Sequence, residues 1–178
     1  MALQISSILR RAQQVAPNAT ATIHLERQQT WTEFLLRVQK LSGAFYNLGI
    51  EAGDRIAILY LNSDRYVEYF YATVWSGAAI MPMNIRWTPT ECAFALNDAG
   101  AKILIVDDTF AKNVPAIQAE VPDLRTLIFA GDNKSYPKAW CAMKQSLPAL
   151  IQSRTPVGEM TIWLVSFTLG APQALQKA

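Results

Sequence analysis

Arg55-Ile56-Ala57-Ile58-Leu59-Tyr60-Leu61 is a nearly unbroken apolar run, and its reading decides the fold. A strand with one wet face alternates polar and apolar residues, whereas a continuous run of this length suits a parallel strand buried on both faces. The turn Glu51-Ala52-Gly53-Asp54 precedes it. Asn62 or Ser63 then caps a helix reaching about Trp75, with Asp64 near its positive end. Ala78 to Met83 returns to extended structure. Thr88-Pro89-Thr90-Glu91 combines a capping box with proline at the first helical position and starts a helix to about Asp98, closed by Gly100. Ala101-Lys102 leads into a second buried run, Ile103-Leu104-Ile105-Val106, which ends at Asp107-Asp108. A helix near Phe110 to Glu120 and a strand near Thr126 to Phe129 complete the alternation. Strands alternating with helices imply an α/β fold, a parallel sheet flanked by helices and joined by right-handed crossovers.

Toward the N-terminus, Ile5, Ile8, Leu9, Ala12 and Val15 recur at helical spacing before Pro17-Asn18. Ala21 to Glu26 reads as a strand, and the polar Arg27-Gln28-Gln29 as the turn after it. Thr30 and Glu33 form another capping box. The helix it starts at Trp31 buries Phe34, Leu35, Val38, Leu41, Phe45 and Leu48, and Gly49 is placed to supply the left-handed residue that ends it. Beyond Gly131 the pattern blurs. Lys134 to Ser153 carries helical patches broken by Pro137 and Pro148, Thr155-Pro156 reads as a linker, and Ile162-Trp163-Leu164-Val165 as one further strand.

Composition narrows the function classes. Apolar residues are 51% of the chain and charged residues 17%, against a typical charged share of about 25%. Disorder is excluded, and part of the surface is expected to take a covering partner. The 16 basic and 14 acidic residues are scattered, with a net charge of +2, so no footprint for nucleic acid exists. Arg10 and Arg11 come after a mixed polar stretch, so no positively charged head precedes an uninterrupted apolar core and a cleavage site, which argues against a signal peptide. The apolar runs Ala72 to Met83 and Met160 to Pro172 fall short of a bilayer span, so no transmembrane segment is expected. Cys92 and Cys141 are at neither metal-ligand nor redox spacing and read as thiols of a reducing cytoplasm.

Few residues carry chemistry on their own. His24, the single histidine, has no serine, cysteine or carboxylate constellation around it. Asp107-Asp108 stands at the carboxyl end of a strand, where open α/β sheets place ligands, but aspartates there also cap the following helix, and that reading is favoured. Gly49, Gly53, Gly77 and Gly100 are separate punctuation and make no dinucleotide fingerprint. Trp31, Trp75 and Trp87 are read as core aromatics in preference to a ligand pocket.

Several segments taken in order say more. Trp31-Thr32-Glu33-Phe34, then Leu48 to Ile58, Asn62-Ser63, Gly77-Ala78-Ala79-Ile80-Met81-Pro82-Met83-Asn84, Thr88 to Glu91, and Leu96 to Asp107 together resemble the amino-terminal region of the adenylate-forming acyl-CoA synthetases. The likeness covers roughly the first three quarters of the chain. It lies in turns and caps, so it identifies a scaffold and no catalytic atom.

The resemblance implies a reaction in which ATP and magnesium activate a carboxylic acid to an acyl-adenylate, and coenzyme A then takes the acyl group. It also implies a phosphate loop rich in serine, threonine and glycine that ends in proline-lysine-glycine; such loops suit phosphate because small residues let backbone amides approach closely. Ser166-Phe167-Thr168-Leu169-Gly170-Ala171-Pro172-Gln173-Ala174 is similar to a degenerate copy of it. Ser166, Thr168 and Gly170 are the candidate cofactor-binding residues, while Phe167, Leu169, Gln173 and Ala174 replace the glycine, hydroxyl, lysine and glycine of the pattern. No catalytic or metal-binding residue is assigned.

The resemblance further divides the chain into residues 1–130, a partial amino-terminal synthetase domain, and residues 131–178, an irregular continuation ending in the loop-like segment. On this reading the chain is a truncated, cytoplasmic synthetase-like protein that is inactive alone. The alternative is a non-enzymatic interaction module that keeps the ligase fold and docks on a homologous or complementing protein partner. An independent nucleotide-binding domain is disfavoured by the missing glycine fingerprint.

Overall fold

The computed structural model describes residues 5–131, 155–157 and 160–166. Helix α1 (Ile5–Val15) opens the chain and is followed by a hairpin of β1 (Thr20–His24) and β2 (Arg27–Thr30). Then come α2 (Trp31–Asn47), β3 (Arg55–Leu59), α3 (Asp64–Trp75), β4 (Ala79–Pro82), α4 (Pro89–Ala99) and β5 (Ala101–Val106). A 3-10 turn (Ala111–Asn113) leads into α5 (Val114–Glu120) and β6 (Thr126–Phe129), and the last described strands are β7 (Thr155–Val157) and β8 (Met160–Ser166).

The main sheet runs in the order β4-β3-β5-β6-β8-β7. Its first four strands are parallel, as the buried runs imply, with Ile58 beside Ile105 and Ile105 beside Ile128. Strand β8 departs from this pattern and pairs antiparallel with β6, and β7 pairs antiparallel with β8. Thr155-Pro156, expected as a linker, is therefore strand. The helical patches expected within Lys134 to Ser153 lie outside the described residues.

Helices cover both faces. On one face, Phe34, Val38 and Phe45 of α2 and Tyr69 and Ala72 of α3 meet Ile56, Ile58, Ile103 and Ile105. On the other, Cys92 and Leu96 of α4 and Val114 and Ile117 of α5 meet Ala57, Leu59, Leu104, Val106 and Leu127. Adjacent residues of one strand thus feed opposite cores, which is why the runs carry no polar alternation. The expected caps form. Thr30 with Glu33 and Thr88 with Glu91 make complete capping boxes, and Ser63 accepts from the Tyr66 amide at the start of α3. Because the Thr30 and Thr88 backbone and hydroxyl groups donate to them, the Glu33 and Glu91 carboxyls titrate below the ordinary glutamate range.

The hairpin is a two-stranded sheet of its own. Its turn falls at Leu25-Glu26, with Leu25 at φ 52°, and Arg27-Gln28-Gln29 is the second strand instead of the expected turn. The hairpin's base is tied to its neighbours by the Trp31 amide to the Ala19 carbonyl at 3.0 Å and the Thr32 amide to the Pro17 carbonyl at 3.1 Å.

At the β4 edge, Ala79 and Met83 donate their amides inward to the Asp54 and Ile58 carbonyls. By strand alternation, Ile80 and Pro82 direct their backbone outward. Proline therefore occupies an outward position, where it offers no N–H to an incoming strand.

Candidate functional site

The carboxyl ends of β3, β5 and β6 form the rim where open α/β sheets place ligands. Here they are bound to one another. Asp107 accepts from the Leu61 amide at 3.0 Å through Oδ2, and from the Thr109 and Phe110 amides at 2.9 and 3.2 Å through Oδ1. Its carboxylate thus joins the end of β3 to the turn after β5, in the manner of an Asx turn, while the 3-10 turn and α5 that follow have no side-chain cap. The Ala130 carbonyl accepts from the Tyr60 hydroxyl at 2.6 Å and from the Arg65 guanidinium at 2.7 Å. A Cβ on Gly131 would collide with the Phe129 ring and the Asp108 carboxylate, so close packing holds this rim as well. Its polar groups serve the fold.

Ser166, the first of the candidate phosphate-binding residues, closes β8 directly opposite Thr126, the first residue of β6. The antiparallel return therefore delivers the chain to the amino ends of the parallel strands, the rim opposite Asp107. Thr168 and Gly170 lie outside the described residues. His24 is half-buried in the hairpin. Trp31 and Trp75 pack against the α2–α3 core, with Arg10 lying 5.0 Å over the Trp75 ring, but Trp87, expected in the core, is partly exposed. Cys92 is a buried free thiol raised by burial and by the Glu91 charge, as suits a structural residue.

A buried polar cluster among the described residues has no counterpart in the sequence reading. Asp64 and Glu68 stand one turn apart on α3 with only 4% and 1% of their surfaces exposed. Arg27 grips Asp64 with two nitrogens at 2.8 and 3.0 Å. Arg37 of α2 holds Glu68 with two more, its Nη2 to Oε2 contact being 3.0 Å. The Gln29 amide bridges them, donating at 3.3 Å to Asp64 and 2.8 Å to Glu68. Burial pushes the Asp64 carboxyl up, but the Arg27 hydrogen bond and charge, the Arg65 amide and the Arg65 charge together hold it below the usual range. Two acids at helical spacing on a partly apolar helix were the available signal; their cationic partners are more than thirty residues away in sequence.

A second buried group, the Tyr69 hydroxyl, donates to the Ile56 carbonyl at 2.6 Å and accepts from the Met81 amide at 2.8 Å. Burial raises it far above the ordinary phenol range, so it stays neutral and stitches β3 to β4. Among the described residues no group of three or more His, Cys, Asp or Glu side chains could hold a metal ion, and no helix is long and apolar enough to cross a membrane. The Asp64, Glu68 and Asp107 carboxylates each accept three hydrogen bonds from amide or guanidinium groups.

Comparison with known proteins agrees with the scaffold. A family profile described as AMP-binding enzyme matches residues 9–170. The long-chain-fatty-acid–CoA ligase of Thermus thermophilus is 30% identical over 142 residues, covering 80% of this chain and 25% of the relative. The feruloyl-CoA synthase of an Amycolatopsis species is 36% identical over 111 residues, covering 62% of this chain and 22% of the relative. Among solved structures, the anthranilate CoA ligase AuaEII in complex with anthranoyl-AMP superposes with a TM-score of 0.71 at 26% identity, covering 75% of this chain and 26% of that one. A Mycobacterium tuberculosis fatty acyl CoA synthetase does so with a TM-score of 0.66 at 26% identity, covering 85% and 31%. The chain spans about a quarter of the length of these curated relatives.

Proposed function

The chain belongs to the AMP-binding enzyme family, and from that premise we propose that it supplies the amino-terminal scaffold of an acyl-CoA synthetase and does not complete the reaction alone. The family reaction joins a carboxylic acid to AMP at the expense of ATP, with magnesium, and passes the acyl group to coenzyme A. The observation that carries the reading is the family match over residues 9–170, borne on a parallel sheet with helices on both faces, beside a loop-like segment that has Gln173 where the pattern has lysine. Acyl-adenylate formation needs charge stabilisation and a water-free, oriented site. Arg27, Arg37, Arg65, Asp64 and Asp107 are each engaged within the fold.

Ser166, Thr168 and Gly170 are the residues we assign to any remaining phosphate contact. Gln173, standing where the pattern has lysine, contributes no positive charge to it. The purified 178-residue chain is expected to give no acid-dependent exchange of pyrophosphate into ATP with short, long or aromatic acids. Saturable exchange that survives repurification and is absent from a mock preparation would overturn the reading. The combined change Phe167→Gly, Leu169→Thr and Gln173→Lys is expected to improve ATP binding without producing turnover.

A second reading is favoured by the low charged fraction of 17% and by the exposed apolar residues Ile80, Ile85, Trp87 and Phe94. In it the chain is a non-enzymatic module that docks on a homologous or complementing partner in the cytoplasm. A stable, stoichiometric complex with a full-length synthetase, unaffected by ATP or acid, would favour this reading over the first.

A further inference from the structure

The β1–β2 hairpin is fastened to α3 by one ion pair and by the Gln29 amide, and its large apolar side chains are exposed. Ile23 and Leu25, its large apolar side chains, are 72% and 79% exposed. Its one other apolar residue, Ala21, packs against the α2–α3 core. Its one buried residue is polar, Gln29, at 9% exposure. The attachment runs instead through Arg27 to Asp64, through Gln29 to Asp64 and Glu68, and beside them Arg37 to Glu68. Gln29 must present its nitrogen to the two carboxylates, because carboxylates only accept. Its Oε1 is then left buried without a partner, as is Oγ1 of Thr22, the residue directly across the hairpin.

We infer that the hairpin is a strap that lifts from α2 and α3 as a unit while the central sheet stays folded. Three features carry this. The hairpin shares no strand pairing with the main sheet. Lifting withdraws only Ala21 of the hairpin's apolar residues from the core, whereas it hydrates two buried oxygens that lack a partner in the closed form. The backbone bonds from Trp31 to Ala19 and from Thr32 to Pro17 tie the base, which lets the hairpin pivot without releasing α2. Elements held by few apolar contacts open below the global unfolding free energy.

Native-state hydrogen exchange on the full chain, at rising urea below the unfolding transition, tests the strap. The amides bonded between β1 and β2 are expected to exchange together, with weak urea dependence, while β3 and β5 amides remain protected. Glu68→Gln keeps an acceptor for Arg37 but removes the charge, and is expected to speed hairpin exchange by roughly tenfold without moving β3 or β5. Asp54→Asn, which weakens the Asp54–Lys102 pair far from the hairpin, is expected to leave hairpin exchange unchanged. The strap is refuted if wild-type hairpin amides exchange only with those of β3 and β5, if β3 and β5 are themselves unprotected, or if Glu68→Gln speeds all three strands equally. Should Glu68→Gln fail to fold, the wild-type pattern decides.

Discussion

Gly49 and Gly100 both end helices in the left-handed region, at φ 76° and 59°, but for a side chain they are different places. Around Gly49 nothing lies within 4 Å of a built Cβ, so alanine there meets only backbone strain. At Gly100 the same Cβ would stand 2.8 Å from Arg55 Nη2. That guanidinium donates to the Ala99, Gly53 and Gly100 carbonyls, capping the negative end of α4 and tying it to the start of β3. Gly49→Ala is therefore expected to cost about 1 kcal/mol, and Gly100→Ala more, because it also displaces the clamp. Urea midpoints of the two variants check the order: equal midpoints would show that Arg55 yields freely.

Among the elements, β3 and β5 carry the sheet. Ile58 and Ile105 are register partners on the same face and belong to one core. Truncating either to alanine is expected to cost about 2–5 kcal/mol. Because the two touch across the strands, the double variant is expected to lose less than the sum, the shortfall measuring their contact. Additive midpoints would mean the two sites relax independently. These elements could be read from sequence because their signals are local. The runs at Ile56 and Ile103 and the caps at Thr30, Ser63 and Thr88 state their structure within a few residues. Strand β2 could not be read that way: Arg27, Gln28 and Gln29 look like a turn until Asp64 and Glu68 arrive from another helix to receive them. The direction of β8 was equally hidden, since an apolar strand does not record which way its neighbour runs. The phosphate-loop likeness could be read only as a pattern of residue types, because phosphate chemistry depends on where amides point.

For the whole molecule, the acid limb of stability is tied to Asp64. Its folded carboxyl lies below the ordinary value of 3.8, so its contribution is complete above that value and is lost as pH falls through the folded pKa. Arg27 and Gln29 face it from the hairpin, and Arg65 from its own helix. Asp64→Asn is expected to be less stable than wild type at neutral pH, with the difference shrinking as pH drops below about 4. Parallel stability curves for the two proteins across that range would remove Asp64 from the acid limb. Asp54, held low by Lys102 and the Glu51 amide, adds a smaller effect of the same sign from the surface.

The proline on the outward side of β4 governs how crowded copies of this chain meet. Edge-to-edge strand addition needs an unbroken row of donors and acceptors, and Pro82 leaves a gap in that row beside exposed Ile80. Copies that collide there can adhere through greasy side chains yet cannot lay strand upon strand, so concentrated samples are expected to give amorphous precipitate that stays dark with amyloid dyes. Filling the gap by Pro82→Thr would restore the missing donor, and fibrils that bind those dyes are the expected product.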